Sequence, residues 1–363
     1  MNILLISASH NEKNNHAFSY HFKETCKRMG IHVWSLSPYD GSVVRLLRED
    51  EYFKDFYIGL ERFPLSRFVN FEDIDLIFIE NPKWPFENDT GLENDLKIPV
   101  VYYHRDMHSN VFVRNPDFLA IRFWTEGFTP DGRPNGGQPE ILERDHPEIW
   151  YNKEIKKIWF TMAISEAEFG ELNQFKGINR LREGWAYYGS YKSVREMMTF
   201  NTVHYQIYRH HLEIIDFVKK KNLATEFREI NKSLDAYKKH LFQFEATLII
   251  PAWDSWETRR LYEASYCECV PILFIQNKNA RKVFEMQGYK DGETCITFTK
   301  KEDLLHLDLR NYNLNLIRAK GHEMVKQRHT YRARILELLD KININKILEK
   351  RGKTEEIKNK IYI

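Results

Sequence analysis

The chain has 363 residues, about two to three times the size of a common single domain, so two domains are expected. Hydrophobic residues make up 42% and aromatics 14%, enough to fill packed cores and to exclude an intrinsically disordered chain. With 54 basic and 52 acidic side chains the formal net charge is +2; this excludes a whole-molecule field drawing the protein to nucleic acid or anionic membrane and leaves only a local basic patch open.

The chain opens with NILLISAS, a buried strand. HAFSYHFKETCKRMG follows as an amphipathic helix that stops at Gly30. The opening lacks a basic n-region and its apolar run is only strand-length, so it reads as neither a signal peptide nor a membrane anchor. No other apolar run is long enough to span a bilayer, and a cytoplasmic protein without membrane insertion is expected. HVWSLSP, DIDLIFIE (Asp73 to Glu80) and PVVYYH (Pro99 to His104) read as further strands. Apolar runs without polar alternation point to strands buried on both faces of a parallel sheet.

DGRPNGGQP (Asp131 to Pro139) is a turn-rich loop. KIWFTMAIS reads as a strand ending at Ser165, and EAEFGELNQF as a helix. WAYYGSYKSVREMM then reads as a short strand (Trp185 to Tyr188), a turn at Gly189 and a helix. It looks like a fresh first βα unit, so the domain boundary is expected near Gly177 to Gly184. HLEIIDFVKKKN is a helix and TLIIPAW (Thr247 to Trp253) a strand. The helix RRLYEASYC, the strands VPILFI and TCITFT, and a Lys-rich helical tail from Asp303 complete the chain. No internal repeat is visible. The expected architecture is α/β, with two Rossmann-like domains facing across a cleft: residues 1–180, residues 181–330, and a helical tail over 331–363. In such sheets ligands bind beyond the carboxyl ends of the strands. Cys26, Cys267, Cys269 and Cys295 include no CxxC pair and are expected to be free, buried thiols.

The stretch RRLYEASYCECVPILF, Arg259 to Phe274, carries the chemistry. Its helix starts at the sheet's carboxyl edge, where free N–H groups and the helix dipole favour anions. Arg259 and Arg260 add bidentate phosphate recognition. Glu263, one turn on, is placed to accept hydrogen bonds from sugar hydroxyls. On composition alone, an ordinary surface helix carries the same residues.

EASYCECVPILF resembles the nucleotide-sugar motif of two-Rossmann (GT-B) retaining glycosyltransferases. Its spacing of Glu263, Cys267, Pro271 and Phe274 is closest to the DNA α-glucosyltransferases of T-even phages and also resembles the CgeB-like group. The resemblance implies that Glu263 binds the donor ribose. Two departures stand out: Glu268 occupies a position usually held by glycine, and Ser255 stands where many relatives have a second glutamate, with Glu257 nearby. PVVYYHRDMHSNVFVRN resembles the strand-plus-His-Asp-His segment of the phage enzymes. That implies His104, Asp106 and His108 as catalytic candidates facing the reacting sugar, although Arg105 and Met107 alter the spacing. YYGSYKSVREM resembles the opening of the relatives' donor domain, which implies diphosphate contacts from Gly189, Lys192 and Arg195.

Together the resemblance implies transfer of a hexosyl or pentosyl group from a nucleotide-diphosphate sugar, with a UDP-sugar the expected donor. No metal or other cofactor is required, and the anomeric configuration is retained. Arg259 and Arg260 join the diphosphate contacts, and Trp253 or Trp256 flanks the base or sugar. The leading acceptor is a 5-hydroxymethylated pyrimidine in double-stranded phage DNA, flipped into the cleft in the host cytoplasm. RNPDFLAIRF, with Arg114 and Arg122, and FVKKKN, with Lys219 to Lys221, are candidate phosphate tracks; a solvated face is the alternative for both runs and the favoured reading of the second. A bacterial surface-glycan or small-molecule transferase and a nucleotide-sugar epimerase of the same fold remain open alternatives.

Overall fold

The structure, a computed structural model, describes residues 1–7, 18–39, 43–47, 57–59, 71–80, 98–104, 117–121, 154–169, 182–189, 202–229, 234–251 and 258–350. Compactness divides the chain into Met1–Thr161 with Arg334–Ile363, and Met162–Ala333, where the sequence pattern suggested a boundary near Gly177 to Gly184.

The first unit is built on an eight-stranded sheet among the described residues. Its strands are β1 (Asn2–Ser7), β2 (His32–Tyr39), β3 (Val43–Leu47), β4 (Tyr57–Gly59), β5 (Leu76–Glu80), β6 (Val100–His104), β7 (Phe118–Ile121) and β8 (Lys156–Trp159), in the order β4-β3-β2-β1-β5-β6-β7-β8. From β2 to β8 every pairing is parallel. Ile3, Leu4 and Leu5 and the whole of β5 are buried, as apolar runs in a sheet covered on both faces should be. The helix α1 (Phe18–Arg28) presents Phe18, Phe22 and Cys26 at helical spacing to that sheet. Phe18 and Phe22 stack with Phe78, their ring centres 5.8 and 4.9 Å from it, and Tyr103 meets Phe160 edge-on at 5.0 Å.

Two departures from expectation concern this sheet. It is mixed, because β3 and β4 add antiparallel strands to the β2 edge. And RNPDFLAIRF is not a continuous surface track: Phe118 to Ile121 form β7, between β6 and β8, with Phe118, Leu119 and Ala120 buried. Four apolar residues in a row outweigh the flanking charges. Arg114 and Arg122 lie outside the described residues.

The second unit carries a five-stranded, all-parallel sheet. Its strands are β9 (Arg182–Gly189), β10 (Glu226–Glu229), β11 (Phe244–Ile249), β12 (Val270–Phe274) and β13 (Ile296–Phe298), in the order β10-β9-β11-β12-β13. Around it run α2 (Glu166–Phe169), α3 (Thr202–Lys221), α4 (Leu234–Gln243), α5 (Arg259–Tyr266), α6 (Lys278–Met286) and α7 (Leu314–Arg328). The helices α8 (Tyr331–Lys341) and α9 (Ile344–Lys350) give the helical C-terminus. Leu248, Ile250, Ile272 and Phe274 pack on one face with Ile214, Ile215 and Val218 of α3. Ile249, Leu273 and Ile275 pack on the other with Leu261, Tyr262 and Phe284 of α5 and α6. This period-two division explains the unbroken apolar strands.

The strand expected over Thr247 to Trp253 begins earlier and ends earlier. Phe244 and Ala246 are buried and pair with β9, and Pro251 has no amide hydrogen with which to extend the ladder. Lys219, Lys220 and Lys221 form the exposed last turn of α3, where cations meet the negative end of the helix dipole.

Among the described residues five helices end alike. After α1, α3, α5, α6 and α8 the chain turns through the left-handed region at Gly30 (φ +69°), Asn222 (+49°), Glu268 (+55°), Gly288 (+99°) and Asn343 (+54°). At α5 the Glu268 amide donates to the Ser265 carbonyl at 3.0 Å and the Cys269 amide to that of Ala264 at 2.9 Å. This is the paired hydrogen bonding of a Schellman stop, whose left-handed residue is usually glycine. None of the four cysteines is in a disulfide, and all four are buried. Among the described residues, no helix is long and apolar enough to cross a membrane.

Candidate functional site

In the second sheet β9 is the first strand among the described residues, and its neighbours β10 and β11 lie on opposite sides. The connections leaving β9 and β11 therefore run to opposite sides, which opens a crevice between the carboxyl ends of these two strands. Gly189 ends β9, and Ile250 and Pro251 follow β11. The next described residues after Pro251 are Thr258 and the first turn of α5. Thr258 makes no side-chain cap, so the first amides of α5 have no hydroxyl or carboxylate cap from that position.

Arg260 reaches across this crevice, its Nη1 3.3 Å from the Tyr188 carbonyl of β9. A Cβ on Gly189 would lie 2.9 Å from the same nitrogen and would collide with the Tyr187 hydroxyl. Gly189 is therefore glycine for close approach, its backbone bare beside a guanidinium. Behind it the Tyr187 hydroxyl is 3.1 Å from Nε2 of His211, on α3. Burial, and then the charge of Arg260, push the His211 imidazole down to about 3, against a smaller upward pull from its hydrogen bond to the Ile250 backbone. His211 thus stays neutral across the physiological range and adds no charge to the crevice.

Arg259 points elsewhere. Its Nε lies 2.7 Å from Oε1 of Glu263, one turn along α5, and its Nη2 pairs with Glu168 of α2. Burial alone would lower the Arg259 pKa, but the two carboxylates more than offset it and the net shift is upward. Glu263 is 5% exposed and is also hydrogen-bonded by the Tyr237 hydroxyl; burial, and then the Glu263 charge, drive that phenol well above its usual range. Glu168 sits three residues after Ser165, whose Oγ accepts from the Glu168 amide at 3.2 Å. The Lys238 ammonium donates to the Glu168 carbonyl.

Of the residues singled out in the sequence, Gly189, Arg259, Arg260 and Glu263 come together here. His104 is the last residue of β6 in the first unit. Asp106, His108, Lys192, Arg195, Trp253 and Trp256 lie outside the described residues. Glu168, Tyr187, His211 and Tyr237 were not singled out. Glu168 had a local signal, the pattern Ser165-x-x-Glu168 that opens a helix, but nothing local announces a partner 91 residues away. Among the described residues, no group of three or more His, Cys, Asp or Glu side chains is placed to hold a metal ion.

No protein-family model matches the chain, and no curated protein matches its sequence. Solved structures do. Sucrose-phosphate synthase from Thermosynechococcus elongatus is similar over 94% of this chain and 98% of its own, with 12% identity and a TM-score of 0.51. An α-glucosyltransferase in complex with UDP is similar over 94% and 100%, with 12% identity and a TM-score of 0.51. A further α-glucosyltransferase structure, with UDP and a DNA 13-mer containing a hydroxymethyluracil base, is similar over 94% and 99%, with 12% identity and a TM-score of 0.50. With its two parallel-based sheets and helical C-terminus, the chain has the two-Rossmann, GT-B fold.

Proposed function

We propose that the protein is a glycosyltransferase whose second unit binds a nucleotide-diphosphate sugar, with a UDP-sugar the leading donor. The observation that carries this reading is the group at the β9–β11 switch point: Arg260 over the bare backbone at Gly189, beside the buried carboxylate of Glu263. A guanidinium and the N-terminus of a helix that Thr258 does not cap with its side chain suit a diphosphate, and a fixed carboxylate suits a pair of ribose hydroxyls. The similar α-glucosyltransferase and its UDP complex support the same reading.

In the proposed reaction the acceptor hydroxyl oxygen bonds to the anomeric carbon on the face from which the diphosphate departs, which retains the configuration, as that carbon's bond to the diphosphate breaks. The electron pair leaves on the phosphate oxygen, where Arg260, with Lys192 and Arg195, offsets the growing negative charge. Stabilising that charge is the largest electrostatic contribution available to the protein. Asp106, flanked by His104 and His108, is the proposed acceptor-side group that orients the hydroxyl and receives its proton.

For the acceptor we favour a 5-hydroxymethylated pyrimidine in DNA. The motif spacing and the DNA-bound α-glucosyltransferase support this. A small-molecule acceptor is the second reading, supported by the equal likeness to a sucrose-phosphate synthase.

The test mixes purified protein with a panel of nucleotide sugars and three acceptor sets: hydroxymethylcytosine DNA, plain DNA and sugar phosphates. Nucleoside diphosphate release and acceptor mass are followed. Release with a mass gain on hydroxymethylated DNA alone supports the favoured acceptor, and a gain on sugar phosphates alone supports the second. An altered sugar still attached to its nucleotide indicates an epimerase. No release and no altered sugar with any donor overturns the nucleotide-sugar reading.

A further inference from the structure

Arg259 and Glu168 form an ion pair, and the same guanidinium also meets Glu263. Their side chains are 16% and 4% exposed, and that of Glu263 7%. One guanidinium serves two carboxylates, and the backbone around the group is tied down. Ser165 caps the turn that carries Glu168, Lys238 donates to its carbonyl, and Tyr237 bonds Glu263. Arg260, the next residue, turns to the Tyr188 carbonyl instead.

Burying such ions costs several kcal/mol in desolvation, and apolar side chains of similar volume often serve stability equally well. What the ions add is direction. A planar guanidinium held at both ends fixes the plane of each carboxylate it meets. We infer that Glu168 and Arg259 are positioning residues: they hold the Glu263 carboxylate in the orientation that selects ribose over 2′-deoxyribose in the donor nucleotide. Arg259 then acts through Glu263 and not on the diphosphate. This rests on the donor-site reading above.

The test uses the full chain and calorimetric titration of UDP, ADP and GDP, each beside its 2′-deoxy form. The wild type is expected to prefer one ribonucleotide over its deoxy form by about tenfold or more, the effect of one charge-assisted hydrogen bond. Glu263→Ala should abolish that preference. Glu168→Gln should remove most of it while leaving the affinity for the deoxy form unchanged, a split that a general loss of packing does not produce. Arg259→Lys, which keeps the charge and loses the fork, should do the same; it carries the test if Glu168→Gln fails to fold by circular dichroism.

A wild-type ratio in the folded Glu168→Gln protein overturns the proposal. So does an Arg259→Lys protein that loses affinity for ribose and deoxyribose forms equally, which would place Arg259 on the diphosphate. A wild type that binds both forms alike overturns it too. A wild type that binds none of the nucleotides strikes the donor-site reading itself, and this inference with it.

Discussion

Glu268 occupies a backbone position that suits glycine. With φ at +55° it closes the Schellman stop of α5 in the left-handed region. An L-residue there crowds its Cβ against the following carbonyl, at a cost of about 1–2 kcal/mol. Glycine has no Cβ and avoids this, but gives back roughly 0.5–1 kcal/mol through the greater freedom of its unfolded chain. Glu268→Gly should therefore stabilise the second unit by about 0.5–1 kcal/mol. For a unit of that size the melting temperature should rise by roughly 1–4 °C. Glu268→Ala is the control, since it removes the side chain but keeps the Cβ. The difference between the alanine and glycine variants isolates the backbone contribution from whatever the glutamate side chain touches. Urea unfolding followed by fluorescence, with scanning calorimetry, reads both. A glycine variant no more stable than the alanine variant would refute the reasoning. Nucleotide affinity should be unchanged in both, because Glu268 lies past the end of α5 opposite to Arg259 and Arg260. On this account a glutamate at this left-handed position lowers stability and leaves the site intact.

Three other outcomes are expected. Gly189→Ala should push a methyl group into the Tyr187 hydroxyl and Arg260; overpacking of this kind costs about 1–3 kcal/mol, and titration with UDP should show weaker binding, while unaltered affinity would remove Gly189 from the donor site. Asp106→Asn should leave donor binding intact and lower turnover, and full turnover in the release assay would remove it from the mechanism. His211 gives a pH signature. Its folded-state pKa of about 3 lies below the ordinary 6.5, so between those values the unfolded chain binds a proton that the folded chain does not. The stability this contributes is complete above pH 6.5 or so and drains away as pH falls toward 3. In His211→Gln the slope of unfolding free energy against pH in that window should be shallower by about 1.4 kcal/mol per pH unit, one proton's worth, and an equal slope in both proteins would contradict the buried neutral imidazole.

Several elements were legible because local chemistry wrote them. NILLIS, LIFIE and VPILF are apolar runs that each form a strand, and Ile3 to Leu5, LIFIE and VPILF are buried. Gly30 marks a helix end because glycine tolerates the left-handed turn there. RRLYEASY is a helix, one residue shorter than expected because Cys267 is its C-cap, and it begins at the carboxyl edge of its sheet. The strands β3, β4, β7 and β10 were not legible as strands. Each spans five residues or fewer, and flanking charged or turn-forming residues mask so short a signal.

By itself, then, the sequence determined the α/β class, the two-part layout, the main parallel strands and the presence of Arg259, Arg260 and Glu263 on one helix. These follow from periodicity, capping and side-chain type, which act over a few residues. What only the tertiary structure decided is which charges meet. Arg259 and Arg260 are adjacent and chemically identical, and no local rule tells them apart. The fold brings the Tyr188 carbonyl to Arg260 from 72 residues away and Glu168 to Arg259 from 91. Strand order places β9 beside β11, and burial then requires each guanidinium to find an acceptor, because an unpaired ion in a low-dielectric interior is too costly to keep.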